Sequence, residues 1–125
     1  MQTDASSTGI GAVLLQEREG DLHPISYVSR KLLDRETRYS TIERECLAIV
    51  WSLSKFSRYL WGKTFVLQTD HRPLKYLGSG KYKNARIMRW CLSLQEFSFE
   101  IEALPGKKNT FADMLSRSQA EQTVP

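Results

Sequence analysis

A change of hydrophobic period near residue 39 constrains the fold of this chain more than any other feature. In the segment 39–62, YSTIERECLAIVWSLSKFSRYLWG, apolar residues recur at steps of three and four, a spacing typical of a helix with one buried face. Ser40 and Glu43 form an S-x-x-E capping box that predicts the helix start, and Gly62 predicts its end. The buried stripe is predicted to contain Ile42, Cys46, Ile49, Leu53, Phe56 and Leu60.

Strand signals lie on both sides of this helix. IGAVLLQ (10–16) and PISYVSRKL (24–32) are joined by a polar turn with Gly20, which predicts a hairpin. Further along the chain we predict a strand over 63–69, a helix over 85–97, a strand over 98–104 and a last helix over 109–117. A hairpin followed by alternating helices and strands indicates an α/β fold with a five-stranded mixed sheet flanked by helices.

Size and composition indicate one folded domain. The chain has 125 residues, of which 41% are hydrophobic and 26% charged, close to globular averages. We assign residues 1–117 to the domain and 118–125, SQAEQTVP, to a polar tail or linker. No apolar run approaches the roughly 18 residues that cross a bilayer, and the start lacks a signal pattern. We therefore expect an intracellular, non-secreted protein with two buried, reduced thiols at Cys46 and Cys91.

Four acids stand at positions that invite a functional interpretation: Asp4, Glu45, Asp70 and Asp113. Each also has a structural one. Asp4 precedes ASSTG and could open an Asx turn, Asp70 could cap the short helix predicted in HRPLKYL, and Asp113 could close a T-x-x-D box. For Asp113 the two interpretations weigh equally.

Glu45 differs from its neighbour Glu43. The capping box gives Glu43 a structural role, whereas Glu45 follows Ile42 by three residues and precedes Ile49 by four. It therefore lies beside the buried stripe, where a carboxylate needs a partner. Several carboxylates that meet at one sheet edge would repel each other unless a cation neutralised them. Oxygen-only ligation suits magnesium or manganese, and two such ions support phosphodiester hydrolysis.

Basic residues concentrate in one stretch. Between Asp70 and Glu96 the chain carries six Lys or Arg residues and no acid, which predicts a face that meets a polyanion. We expect phosphate contacts from Lys81, Lys83, Arg86 and Arg89 as a group. The alternative is an ordinary solvated face. The GIG at 9–11 lacks the rest of a dinucleotide motif and is interpreted as a site of tight turning and close strand packing.

Five ordered blocks carry a family resemblance: TDAS with GIGAVLLQ, PISYVSRKL, RYSTIERECLAIVWSL, FVLQTDHRPLKYL and GKKNTFADMLSR. Together they resemble the ribonuclease H domain of Ty3/gypsy-like retroelement polyproteins, from Gln2 to about Ser118. The resemblance implies the ribonuclease H-like fold, and it puts the four metal-binding carboxylates at Asp4, Glu45, Asp70 and Asp113. It also implies two Mg²⁺ ions, with Mn²⁺ as a substitute, and cleavage of the RNA strand of RNA/DNA hybrids to leave a 3′-hydroxyl and a 5′-phosphate.

The resemblance further implies a reverse transcriptase domain on the N-terminal side in a parent polyprotein, and a location in the cytoplasm, a virus-like particle or the nucleus. Two departures from the family pattern stand out. The loop LPGKKNT before Asp113 has no histidine, and only Met1, Gln2 and Thr3 precede Asp4, so the first strand is expected to be truncated. A catalytically inactive domain that binds hybrids or docks proteins is the alternative function.

Overall fold

The fold is a mixed β-sheet with helices packed on it, described by a computed structural model for residues 1–69, 84–103 and 122–124. The strands are β1 (Gln2–Ala5), β2 (Gly9–Arg18), β3 (Asp21–Lys31), β4 (Thr64–Thr69), β5 (Ser98–Ala103) and β6 (Gln122–Val124), in the order β5-β4-β1-β2-β3-β6. The helices are α1 (Thr41–Lys55), α2 (Ser57–Leu60) and α3 (Ala85–Ser93), with 3-10 turns at Glu36–Arg38 and Leu94–Glu96. The predicted α/β class and its five strands are confirmed.

The hairpin forms where the alternating pattern predicts it. β2 and β3 pair antiparallel from Gly9–Lys31 to Arg18–Asp21. The turn uses Glu19 at φ 53° and Gly20 at φ 86°, a left-handed pair that suits a two-residue hairpin loop. β1 pairs antiparallel with β2, the first strand of this hairpin.

The long helix begins as predicted but divides once. The Ser40 side chain accepts from the Glu43 N–H at 3.3 Å, and Glu43 Oε1 accepts from the Ser40 N–H at 3.0 Å, which completes the capping box. α1 ends at Lys55, because Phe56 leaves helical geometry at φ −95° and ψ 10°, and α2 follows directly. Gly62, at φ 75°, ends the segment as expected.

The predicted stripe of α1 and α2 lies in the hydrophobic core. Phe56 and its stripe neighbours pack with residues of β2, β3, β4 and α3, and Ile42 is the one partly buried member. The buried members of the stripe are Cys46, Ile49, Leu53, Phe56 and Leu60. Cys46 and Cys91 are both buried and free, as expected. Burial raises the pKa of the Cys46 thiol to about 12, so it stays protonated and apolar.

The start of the chain agrees with the prediction and the end departs from it. β1 has four residues and is short, as expected. Within the segment predicted to be a polar tail, Gln122–Val124 adds a sixth strand that pairs antiparallel with Tyr27–Ser29. A three-residue strand needs only backbone hydrogen bonds at a sheet edge, so it leaves no side-chain period to detect. The helix predicted over 109–117 lies outside the described residues.

Within the described part of the chain, no helix is long and apolar enough to cross a membrane.

Candidate active site at the carboxyl end of the central strands

The central pair of strands brings the two QTD stretches side by side. β1 and β4 are parallel, and Gln2 pairs with Gln68 while Thr3 pairs with Thr69. Both threonines are fully buried. The carboxyl ends of parallel neighbours meet at one edge of a sheet. In sequence, Asp4 follows the last paired residue of one strand and Asp70 follows the last paired residue of the other.

Asp4 is buried and lies on β1, one of the two central strands of the sheet. Its residue is 4% exposed, and its antiparallel partner on β2 is Gly11. Paired residues of an antiparallel ladder share a face, so Gly11 brings no side chain to the face of the sheet that carries the Asp4 carboxylate. The GIG motif was interpreted from the sequence as a strand-packing feature, and its position opposite Asp4 is visible only in the register.

Glu45 is buried to the same degree, at 4% exposure, in the second turn of α1. The capping box fixes where that helix begins and therefore where Glu45 stands along it. Ala5, directly after Asp4, packs against the apolar cluster that includes Leu47. α1 and β1 are in contact, so two of the four predicted ligands lie on neighbouring elements.

The other two predicted ligands, Asp70 and Asp113, lie outside the described residues. Among residues 1–69 and 84–103, no group of three or more His, Cys, Asp or Glu side chains could hold a metal ion. The donor chemistry nevertheless fits a hard divalent cation, because Asp4 and Glu45 offer only carboxylate oxygens. Two buried carboxylates on packed elements are also costly without positive charge nearby.

A second cluster joins the start of α1 to the start of α3. Arg86 Nη1 donates to Glu43 Oε2 at 2.7 Å, and the Arg86 guanidinium lies 4.2 Å from the centre of the Tyr39 ring. The Ser40 N–H is the main cause that holds the pKa of Glu43 below its ordinary value, against the effect of burial, and Arg86 contributes in the same direction. The Glu43 carboxylate is therefore charged when it meets Arg86. Because the partners are 43 positions apart in the sequence, no local sequence signal predicts this pair.

The predicted phosphate-binding group is described only in part. Arg89 is exposed on α3, whereas Arg86 is partly buried in its contacts with Glu43 and Tyr39. Lys81 and Lys83 lie outside the described residues.

A further ion pair, between Arg30 and Glu36, was not expected from the sequence. Arg30 donates two hydrogen bonds to the Glu36 carboxylate, at 2.7 and 3.0 Å, and Glu36 also accepts from the Leu33 N–H at 2.8 Å. Burial acts to raise the pKa of Glu36, but these bonds hold it below its ordinary value. The Arg30 guanidinium lies 5.4 Å from the Trp51 ring of α1. The pair therefore fastens the end of β3 and the connection to α1 in place.

Comparison with known proteins agrees with this geometry. The family model described as "RNase H-like domain found in reverse transcriptase" matches residues 1–97. The chain is 45% identical to the Pol polyprotein of transposon 297 of Drosophila melanogaster over 98% of its own length. It is 43% identical to the gypsy Pol polyprotein of the same species and 40% identical to the Tf2-3 polyprotein of Schizosaccharomyces pombe, each over 94% of its length.

Solved structures share the fold at low sequence identity. RNase H1 from the archaeon Halobacterium salinarum superposes with a TM-score of 0.70 at 15% identity, and the match covers 95% of this chain and 97% of that one. LC11-RNase H1, solved in complex with an RNA/DNA hybrid, superposes with a TM-score of 0.62 at 19% identity, covering 91% and 90%.

The chain corresponds to only 11%, 11% and 9% of the lengths of the transposon 297, gypsy and Tf2-3 polyproteins. The family match over residues 1–97 includes β1, α1, β4 and α3, and with them both described carboxylates. The chain therefore belongs to the RNase H-like domains found in reverse transcriptases, and its relatives are polyproteins of gypsy-type and Tf2 retroelements.

Proposed function

We propose that this domain hydrolyses the RNA strand of RNA/DNA hybrids during reverse transcription, as an endonuclease that uses two divalent metal ions. The observation that carries the proposal is the pairing of the two QTD stretches. It sets a buried carboxylate, Asp4, at the edge of the sheet where β4 also ends, beneath the helix that carries Glu45.

Asp4 and Glu45 would hold the metal ions together with Asp70 and Asp113. When bound, Mg²⁺ supplies positive charge for the phosphate and lowers the pKa of a water molecule. The protein contributes rigid placement. Asp4 is fixed by β1 between two neighbouring strands, and Glu45 is fixed by the capped start of α1. Carboxylates held in this way need little rearrangement to bind the ion.

Lys81, Lys83 and Arg89 would bind the phosphates of the hybrid, whereas Arg86 faces Glu43 and Tyr39. Arg89 is the described member of the group with an exposed side chain. The 2′-hydroxyl would identify the strand to be cut. A reverse transcriptase domain on the N-terminal side of a longer chain, and an intracellular site of action, are proposed with the function.

The decisive experiment is cleavage of an end-labelled RNA/DNA hybrid in the presence of Mg²⁺, Mn²⁺ or a chelator. We expect cleavage only with metal, products with a 3′-hydroxyl and a 5′-phosphate, and a loss of at least about 100-fold in Asp4→Asn, Glu45→Gln or Asp70→Asn. Glu100→Gln, which neutralises an exposed acid on β5, is the matched control and should retain activity.

Cleavage that survives chelation or the three substitutions would refute the metal mechanism. A folded chain that binds the hybrid but does not cleave it would instead identify the domain as a hybrid-binding module.

A further inference from the structure

Arg86 belongs by sequence to the basic stretch, but its guanidinium faces the protein. It donates to Glu43 Oε2 at 2.7 Å and stacks over the Tyr39 ring at 4.2 Å. The Arg86 side chain is 40% exposed and that of Glu43 is 12% exposed. A planar guanidinium held by a carboxylate and by a ring face is fixed in both position and orientation.

The partner of Arg86 is part of the device that starts α1. The other oxygen of Glu43, Oε1, accepts from the Ser40 N–H at 3.0 Å and so closes the capping box. One carboxylate thus holds the first turn of α1 with one oxygen and the first turn of α3 with the other. Glu45 is two residues further along the same helix.

Neighbouring contacts stiffen the same junction. The Asn84 side chain caps α3 by accepting from the N–H groups of Arg86 and Ile87, at 2.9 and 3.2 Å. The Tyr39 ring also contacts the Trp90 ring, with 6.0 Å between their centres. These contacts connect the starts of α1 and α3. A shift of α3 would therefore also move the turn of α1 that carries Glu45.

We infer that Arg86 is a positioning residue, which sets the place of Glu45 through Glu43, and that it does not act as a phosphate contact like Arg89. The inference rests on the proposed function, because it assigns Glu45 to the metal site. A fixed carboxylate needs no ordering when the ion binds, so loss of Arg86 weakens metal binding while Arg89 remains in place to contact phosphate.

The test compares Arg86→Gln with Arg89→Gln and with Arg18→Gln, an exposed hairpin residue of equal charge. Cleavage is measured against Mg²⁺ concentration at a temperature well below unfolding, and hybrid affinity is measured against salt. For Arg86→Gln we expect the Mg²⁺ concentration at half-maximal rate to rise about 10-fold, as for loss of other partners of ligand residues, with an unchanged salt slope. For Arg89→Gln we expect a flatter salt slope and an unchanged Mg²⁺ midpoint. For Arg18→Gln we expect neither quantity to change.

Two further variants separate positioning from folding. Arg86→Lys keeps the charge but loses the planar guanidinium and its stacking on Tyr39, so it should also raise the Mg²⁺ midpoint. It replaces Arg86→Gln in the test if that variant does not fold. In the double variant with Glu43→Gln, the two effects on the Mg²⁺ midpoint should be less than additive, because both act through one contact.

The inference is overturned if Arg86→Gln flattens the salt slope as Arg89→Gln does and leaves the Mg²⁺ midpoint unchanged. It is also overturned if the variant lowers only the unfolding temperature. Should the wild-type chain not cleave at all, the proposed function fails separately, and Mn²⁺ binding measured by calorimetry then tests the inference. Weaker binding by Arg86→Gln than by Arg18→Gln supports it, and equal or absent binding by all three chains overturns it.

Discussion

The residues of this domain that carry charge inside the fold act through specific partners. Glu36 and Glu43 are both buried, and each accepts from one arginine and from a backbone N–H near its own turn. Neither arginine is next to its partner in sequence. The stability of these pairs depends on complete hydrogen bonding, because a buried charge that loses its partner is costly.

Replacement of Glu36 by Gln should lower the free energy of unfolding by about 2 to 4 kcal/mol, because Arg30 loses the charge that neutralises it in a buried site. Asp34→Asn is the matched control. Its ion pair with Arg38 joins side chains that are 92% and 76% exposed, so we expect a change below about 0.5 kcal/mol. Urea unfolding at pH 7 measures both variants.

The pH dependence gives a second test of Glu36. Its pKa is lowered on folding from an ordinary value of 4.5. The stabilisation is therefore present above pH 4.5 and is lost as the pH falls through the lower folded value. The difference in the free energy of unfolding between wild type and Glu36→Gln should shrink as the pH falls below 4.5. A difference that stays constant would contradict this account.

The thiols should be inert in the folded protein. Burial, with smaller contributions from Cys91 and Glu43, raises the pKa of Cys46 to about 12, and burial also raises the pKa of Cys91. Since the thiolate is the reactive form, alkylation at pH 8 should be slow in buffer and fast in 6 to 8 M urea. Cys46→Ser and Cys91→Ser variants assign the rates, and Cys91, at 9% exposure against 0%, should react first. Rapid native alkylation of Cys46 would contradict the packing described.

At the scale of elements, the hydrogen bonding between β1 and β4 begins one residue before β1. The Met1 amino group donates to the Val66 carbonyl at 2.8 Å, and the Gln68 N–H donates to the Met1 carbonyl at 2.7 Å. The parallel ladder with β4 therefore runs one residue beyond β1.

At the scale of the whole molecule, charge is distributed unevenly along a chain of net charge +4. The six basic residues between Asp70 and Glu96 have no acid among them. Arg89 is exposed on α3, the helix that packs against α1. In the proposed function, a basic face beside the carboxylate site would hold the polyanion over the metal ions.

Arg89→Gln should reduce the dependence of hybrid affinity on salt, with the slope of log K against log salt flattened by about one unit. A fluorescence titration of a labelled hybrid at four or five salt concentrations measures it. Arg18→Gln changes net charge equally and should leave the slope as in the wild type. If Arg89→Gln also leaves it unchanged, Arg89 does not contact phosphate.

The sequence by itself determined the hairpin, the start of α1 and the buried stripe, because each follows from short-range periodicity, turn residues and capping chemistry. The sequence also distinguished Glu43, which closes the capping box, from Glu45, which does not. In the structure Glu43 closes the box and Glu45 is buried beside the stripe. Tertiary structure decided the rest. The in-register pairing of the QTD stretches, Gly11 opposite Asp4, and the Arg86 and Glu36 ion pairs join residues distant in sequence. The break at Phe56 and the strand Gln122–Val124 likewise follow from core packing and edge hydrogen bonds, which leave no local pattern in the chain.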